Sequence, residues 1–365
     1  MKKITVLIAD DSALMRREIK KILESAGDIE VVAAARDGRE AVDKTKETDP
    51  DVVALDINMP VMDGLTALQY IMMESPRPVV MVSSLTQEGA LTTYEALELG
   101  AVDFVAKPGG TISRNISQVG DDLIATIRAA AKANRSRLGL DRRRKKAAQT
   151  PTQRTATTVG RKSGPTGSRP GEKIVVIGLS TGGPKTIMDI LPYLPEDLGV
   201  PVVIIQHMPG HFTPSFAQRL NDNCLLSIKE ADHADVIESG RGYLAPGDKH
   251  MTLAPRGAGK PGYLIRLSDY PMDTLHKPSV DVTMFSILEC YGGPNVIGVL
   301  MTGMGADGAK AMAAIRQAGG RTIAESEETA VVYGMPAEAA RLGGAEFILP
   351  SYSVAEIIVK LVKGG

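Results

Sequence analysis

The chain has 365 residues, of which 43% are hydrophobic and 23% are charged, and its formal net charge is −1. These proportions are those of an ordinary globular protein, so they exclude a wholly disordered chain, a collagen-like fibre and a disulfide-rich scaffold. At roughly 150 residues per domain, the length favours two or three domains over a single one.

Apolar runs of strand length alternate with helical patterns, such as Leu14 to Leu23, along the first 127 residues. This alternation predicts a doubly wound sheet of parallel strands, in which ligands bind beyond the carboxyl ends of the strands. The five predicted strands are Ile4 to Ala9, Val31 to Ala35, Val52 to Leu55, Val79 to Val82 and Val102 to Val105.

Polar and charged residues follow four of these strands. Asp10 and Asp11 follow the first strand, Asp56 the third, Ser83 the fourth and Lys107 the fifth. Three carboxylates at one sheet edge would repel one another unless a hard cation such as Mg²⁺ lay among them. With the metal bound, Asp56 can attack a phosphoryl group whose oxygens contact Mg²⁺, Lys107 and Ser83. Helix capping by solvated acids is the alternative, and it could explain Asp10 and Asp11 but hardly all five positions.

This set of residues resembles the receiver domain of two-component response regulators, over residues 3 to about 127. The resemblance implies that Asp56 is the phosphoacceptor. It also implies that Asp11, Asp56 and the backbone carbonyl of Asn58 bind the metal directly, while Asp10 helps to orient it. Phe104 falls where the family places a switching aromatic residue.

Residues 128 to 172 have the composition of a flexible linker. They hold thirteen Lys or Arg against two acidic residues, and the stretch from Arg135 to Pro170 is rich in Thr, Gln, Ser, Gly and Pro, with little to bury. Binding of nucleic acid or anionic lipid is the alternative for the basic run, but no aromatic residues are interleaved with it. We therefore expect a tether between domains at 1–127 and 173–365.

The C-terminal part begins with a predicted buried strand, Lys173 to Gly178, and a helical pattern follows from Lys185 to Leu191. Between them, Gly178-Leu179-Ser180-Thr181-Gly182 matches the G-x-S-x-G pattern, in which a tight turn exposes a serine nucleophile. Short glycine-rich patterns also occur in phosphate-binding or merely tight turns. The motif alone leaves these interpretations open.

Two further predicted strands, Val202 to Gln206 and Val296 to Leu300, lead to His207 and to a loop that contains Asp307. Three strand ends can bring Ser180, His207 and Asp307 together as nucleophile, general base and orienting acid. The order serine, histidine, acid differs from the order serine, acid, histidine of α/β-hydrolases, so the sequence disfavours that fold.

The second part is similar to the catalytic domain of the chemotaxis protein-glutamate methylesterases, the CheB family. The motifs that carry the likeness are Ile177 to Pro184, Gln206 to Pro209, Lys277 to Val282 and Met301 to Gly308. The resemblance implies a mostly parallel α/β domain with a serine-hydrolase site formed by Ser180, His207 and Asp307.

The same likeness implies hydrolysis of glutamate methyl esters, and deamidation of glutamines, on chemotaxis receptors. A chemotaxis histidine kinase would supply the phosphoryl group, and the ester chemistry would need no cofactor besides the Mg²⁺ of the receiver. The backbone N–H of Thr181 is the expected donor to the oxyanion. We expect the receiver to restrain the catalytic domain, and we expect phosphorylation of Asp56 to relieve that restraint.

Several alternatives and minor predictions complete the sequence interpretation. A DNA-binding response regulator would need a smaller basic module, and an inactive scaffold would not need all three triad residues. The segment from Lys277 to Val282 fits either a substrate loop or a helix start capped by Ser279. Because no run of eighteen apolar residues or secretory signal occurs, we expect a cytoplasmic protein that does not enter a membrane. We also expect a monomer that does not bind nucleic acid. The remaining histidines are expected to be structural or exposed, and Cys224 and Cys290 to be buried thiols.

Overall fold

The computed structural model describes residues 2–83, 87–107, 116–133, 172–257 and 260–364. The chain divides into two units, residues 1–148 and 149–365. Most of the predicted linker, including 135–170, lies outside the described residues, and its first residues are helical because the last helix of the first unit continues to Ala131. The domain limits 1–127, 128–172 and 173–365 stay predictions.

The first unit is a five-stranded parallel sheet in the order β2-β1-β3-β4-β5. Its strands are β1 (Ile4–Ala9), β2 (Ile29–Ala35), β3 (Val52–Asp56), β4 (Val79–Ser83) and β5 (Asp103–Ala106). Its helices are α1 (Ala13–Ser25), α2 (Gly38–Thr48), α3 (Gly64–Glu74), α4 (Gln87–Leu99) and α5 (Ile116–Ala131). The sequence prediction of a doubly wound parallel sheet is confirmed.

Burial and capping explain why these segments adopt these structures. The central strand β3 is buried along its whole length, whereas the edge strand β2 alternates between buried and exposed residues. Continuous burial is expected for a central strand covered by helices on both faces, whereas an edge strand is covered less completely. Ser12, Asp37 and Asp63 begin α1, α2 and α3, and each side chain accepts a hydrogen bond from a backbone N–H in the first helical turn.

The second unit contains a seven-stranded parallel sheet in the order β14-β13-β12-β6-β7-β9-β8, and a separate antiparallel pair, β10-β11. The strands are β6 (Ile174–Leu179), β7 (Val202–Gln206), β8 (Ser227–Glu230), β9 (Arg241–Leu244), β10 (His250–Pro255), β11 (Tyr263–Ser268), β12 (Val296–Leu300), β13 (Arg321–Glu325) and β14 (Phe347–Leu349). The helices are α6 (Gly183–Thr186), α7 (Thr213–Asn223), α8 (Val280–Tyr291), α9 (Ala309–Gln317), α10 (Met335–Arg341) and α11 (Ser351–Lys363). The predicted mostly parallel α/β architecture is confirmed.

The strand order places the candidate catalytic loops side by side. Strand β6 lies between β12 and β7, and all three strands are completely buried. The loops that leave their carboxyl ends therefore meet at one edge of the sheet, which is where open α/β sheets bind their ligands.

The segment after the candidate nucleophile differs from the predicted continuous helix between Lys185 and Leu191. Only α6 is α-helical, and two 3₁₀ turns follow it, Ile187–Asp189 and Leu191–Tyr193. Pro192 explains part of the difference, because proline lacks an N–H and its ring collides with the preceding helical turn. Among the described residues, no helix is both long enough and apolar enough to cross a membrane.

Candidate functional site

An acidic cluster lies at the carboxyl edge of the first sheet, where the sequence predicted it. Asp10 and Asp56 are buried and Asp11 is exposed, yet one carboxylate oxygen of each lies within 4.8 Å of the others. The Lys107 ammonium lies 2.8 Å from Asp10 Oδ2 and 2.7 Å from Asp56 Oδ2. The ends of β1, β3 and β5 thus converge on one ionic centre.

Burial and charge shift the pKa of both partners at this centre. Burial raises the pKa of the Asp56 carboxyl above its ordinary value, and the Lys107 ammonium counteracts this only in part. For Lys107, burial acts to lower the pKa, but hydrogen bonds to Asp10 and Asp56 outweigh it and raise the pKa. One ammonium faces three carboxylates, so this set of oxygen donors fits a small divalent cation such as Mg²⁺.

The other predicted receiver residues lie in or just after strands β3, β4 and β5. Ser83 is buried at the end of β4, and its carbonyl accepts a hydrogen bond from Lys107 N at 2.8 Å. Asn58 is exposed two residues after β3. Phe104 is buried in β5 and packs edge-on against Tyr94 of α4, with ring centroids 6.1 Å apart.

In the second unit, Ser180, His207 and Asp307 form a continuous hydrogen-bonded row. His207 Nδ1 lies 3.1 Å from Ser180 Oγ, and His207 Nε2 lies 2.8 Å from Asp307 Oδ2. The two ring nitrogens have exchanged the roles that they have in chymotrypsin-like proteases, where Nε2 faces the serine. The row has the contacts that a general-base-activated nucleophile needs.

Two glycines shape the turn that holds Ser180. Gly182 has a φ of 79°, in the left-handed region that glycine adopts without strain. At Gly178, a Cβ atom would lie 2.4 Å from Val280 Cγ1, so only glycine lets β6 approach α8 this closely. Both glycines of the G-x-S-x-G pattern therefore have a structural requirement.

Asp307 is held by the first turn of α8. Its carboxylate accepts hydrogen bonds from Ser279 Oγ at 2.9 Å, Val280 N at 2.7 Å and Asp281 N at 3.0 Å. Burial acts to raise the Asp307 pKa, but the hydrogen bond and electrostatic interaction with His207, together with the backbone N–H groups of α8, lower it overall. Asp307 is therefore kept ionised.

The helix-start interpretation of the segment from Lys277 to Val282 is confirmed, because Ser279 caps α8 by accepting from Val282 N. Asp281 is in the first turn, where its Oδ1 accepts from Ala311 N of α9 at 2.9 Å. The sequence interpretation left this segment out of the catalytic residues, yet it supplies the contacts that fix Asp307.

His276 is a neighbour that sequence reasoning missed. Its ring stacks on the His207 ring, with centroids 4.0 Å apart and an angle of 19° between the planes. Burial, and secondarily the charge of His207, lower the His276 pKa to about 3. His276 therefore stays neutral around pH 7 and covers one face of the His207 imidazole. The only available sequence signal was its position beside the Lys277 motif.

Gln206 fixes the peptide group between Ser180 and Thr181. Its Nε2 donates to Ser180 O at 2.9 Å and to His207 O at 3.0 Å, while Gly183 N donates to Ser180 O at 2.8 Å. Because a peptide group is planar, two bonds to the Ser180 carbonyl also fix the direction of the Thr181 N–H. The sequence interpretation treated Gln206 only as part of a motif.

Thr302 ties the loop after β12 to the same turn. Its carbonyl accepts from Ser180 N at 2.9 Å, and its hydroxyl donates to Thr181 O at 2.9 Å. The fully buried Glu325, at the end of β13, in turn accepts from Thr302 N at 2.8 Å. Strands β12 and β13 thereby support the turn that carries Ser180.

These two units define a class of protein, a response regulator that carries an α/β unit with a serine, histidine and aspartate site. Residues 6–113 match the response regulator receiver domain family, and residues 175–358 match the CheB methylesterase family. The chain belongs to the CheB methylesterase family.

Curated relatives match the whole chain. It is 54% identical, over 99% of its length and 97% of the relative's, to the protein-glutamate methylesterase/protein-glutamine glutaminase of Caldanaerobacter subterraneus subsp. tengcongensis. It is 50% identical, over 100% of both chains, to protein-glutamate methylesterase/protein-glutamine glutaminase 2 of Carboxydothermus hydrogenoformans. The predicted family and the predicted class of enzyme, a hydrolase, are confirmed.

A solved structure matches the second unit. The crystal structure of the Thermotoga maritima CheB methylesterase catalytic domain is 40% identical, with a TM-score of 0.50, over 52% of this chain and 99% of that chain.

Proposed function

We propose that this chain hydrolyses glutamate methyl esters and deamidates glutamines on chemotaxis receptors, with Ser180, His207 and Asp307 as its catalytic triad. The observation that carries the proposal is the hydrogen-bonded row from Ser180 Oγ through His207 to Asp307. The full-length match to relatives named protein-glutamate methylesterase/protein-glutamine glutaminase supports the choice of substrate.

The hydrogen-bonded row supports a proton path. His207 Nδ1 accepts the proton as Ser180 Oγ attacks the side-chain carbonyl, and ionised Asp307 stabilises the imidazolium through Nε2–H. The Thr181 N–H donates to the developing oxyanion. The ester C–O bond then breaks, or the amide C–N bond when the substrate is glutamine. His207 gives its proton to the departing methoxide oxygen or amide nitrogen, which leaves as methanol or ammonia. Water, activated by His207, hydrolyses the acyl-enzyme to glutamate.

The receiver supplies control of this activity. We infer that Asp56 accepts a phosphoryl group from a chemotaxis histidine kinase, with Asp10, Asp11, Asp56 and the Asn58 carbonyl holding Mg²⁺. Bound Mg²⁺ would neutralise phosphoryl oxygens during transfer. Lys107, Ser83 and Phe104 are proposed to respond to the phosphorylated state. The esterase step is proposed to use no cofactor, and the chain to act as a cytoplasmic monomer.

Methanol release from methylated receptor membranes tests the catalytic assignment. Ser180→Ala should fold normally and lose about 10⁴-fold or more of the turnover, because only the nucleophilic hydroxyl is removed. Near-normal turnover by the folded variant would exclude Ser180 as the nucleophile.

A second comparison tests the control by the receiver. A small phosphodonor with Mg²⁺ should raise turnover of the wild-type chain several-fold and leave Asp56→Asn unchanged, because the variant lacks the acceptor carboxylate. An equal response of both chains would show that activation does not pass through Asp56.

A further inference from the structure

An apolar rim, defined here as Tyr270, Met272 and Leu275, projects from the loop between β11 and α8. These side chains are 71%, 66% and 91% exposed. Three large apolar residues this exposed within six positions of one loop call for an explanation, whereas isolated exposed apolar residues are common on any protein.

One end of the rim, Leu275, lies beside the catalytic row. Leu275 lines a cavity of about 340 Å³ together with Thr274, His276, Met304 and Asp307. The residue after Leu275 is His276, whose ring stacks on His207. A polypeptide bound beside His207 and Asp307 would therefore lie near Leu275.

The backbone beneath the rim is fixed by the fully buried His250. Its Nε2 lies 3.0 Å from Pro271 O, and its Nδ1 accepts a hydrogen bond from Ser279 N at 3.2 Å. The Thr274 hydroxyl also lies 3.0 Å from Nε2. A surface whose backbone is already ordered loses less conformational entropy when a partner binds.

We propose that the apolar rim is the docking surface for the protein substrate, and that it contacts apolar side chains beside the modified glutamate. The proposal rests on the proposed function, because a protein ester offers such neighbouring side chains and a small ester does not. Burial of the rim against the substrate would then strengthen binding, although the rim would take no part in proton transfer.

The test uses the full chain, activated by phosphodonor and Mg²⁺, in which Tyr270, Met272 and Leu275 are all replaced by serine. Two rates are measured: methanol release from methylated receptor membranes, and phosphonylation of Ser180 by a small fluorophosphonate. We expect kcat/KM on the receptor to fall about tenfold or more, mainly through KM, which corresponds to about 1.4 kcal/mol. The fluorophosphonate rate should stay within about twofold of wild type, because the triad is unchanged.

A matched variant serves as the control. Tyr352→Ser removes a tyrosine of comparable exposure, 59%, from the first turn of α11 and should behave as wild type.

Three results would overturn the docking proposal. The triple variant could keep the wild-type KM, or it could lose fluorophosphonate reactivity in parallel with receptor turnover, which would mean that the loop shapes the catalytic site. It could also show raised turnover without phosphodonor and an unchanged KM, which would assign the rim to the receiver unit. If the wild-type chain released no methanol, the proposed function itself would fail, and the docking proposal with it.

Discussion

Gln206 offers a sharp test of how the nucleophile turn is organised. Replacement by methionine keeps the volume of the side chain but removes the Nε2 donor to Ser180 O and His207 O. The Ser180 carbonyl keeps its bond from Gly183 N, so the turn should persist with a less restricted peptide plane. Gln206→Met should therefore reduce catalysis while the chain still folds.

The expected loss in kcat follows from the role of this peptide group, which sets the direction of the Thr181 N–H. Complete removal of one oxyanion donor costs about 10²- to 10³-fold in kcat, and loosening its direction should cost less. We expect a loss of about 10- to 100-fold in kcat, or about 1.4 to 2.7 kcal/mol, with KM changed by less than about threefold. The variant loses two neutral hydrogen bonds, each of which contributes about 0.5 to 1.5 kcal/mol to stability, so a loss of about 1 to 3 kcal/mol should still leave it folded.

The assay is methanol release from methylated receptor over a range of receptor concentrations, with the thermal transition recorded in parallel. Gln218→Met is the control, since Gln218 is an exposed residue of α7 whose side chain bonds only to Asp222 among the contacts described. If folded Gln206→Met kept kcat within twofold of wild type, the Ser180 carbonyl would not need Gln206, and this account of the oxyanion donor would be wrong.

Two further substitutions address the neighbours of His207. Asp307→Asn should lower kcat by up to about 10⁴-fold while substrate binding persists, because an amide cannot stabilise the imidazolium; wild-type turnover across neutral pH would remove Asp307 from the mechanism. Burial holds the His276 pKa at about 3 against an ordinary value of 6.5, so the native state loses stability as pH falls through 6.5. His276→Gln should remove that loss, about 1.4 kcal/mol between pH 8 and pH 5.5, in urea unfolding. An equal loss in both chains would contradict the lowered pKa, and His233→Gln, at an exposed position, is the control.

The site residues that could be predicted from sequence are those that directly follow a buried strand. A buried parallel strand is a short apolar run, and the polar residue that follows it must lie at the carboxyl edge of the sheet. This logic placed Asp10 and Asp56 in one cluster and Ser180 beside His207, because β1 adjoins β3 and β6 adjoins β7. The run predicted for β7, Val202 to Gln206, coincides with the observed strand.

Contacts between segments that are distant in sequence could not be predicted in the same way. Short strands with polar ends, such as β8 and β13, carry little periodic signal. The support that α8 gives Asp307 depends on packing between residues more than twenty positions apart. Likewise, the stacking of His276 on His207 follows from tertiary structure. No motif in the sequence distinguishes His276 from an isolated histidine.

His250 links the two ends of the loop before α8 to the catalytic row. Because burial lowers its pKa, the ring stays neutral near pH 7, and its Nδ1 can accept from Ser279 N. Ser279 then caps α8 and donates to Asp307, which bonds to His207, which bonds to Ser180. Protonation of His250 would place a proton on Nδ1, which faces the Ser279 N–H. The hydrogen bond between them would then be lost at low pH. The same buried ring thus holds both the backbone of the exposed apolar rim and the helix turn that orients the catalytic carboxylate.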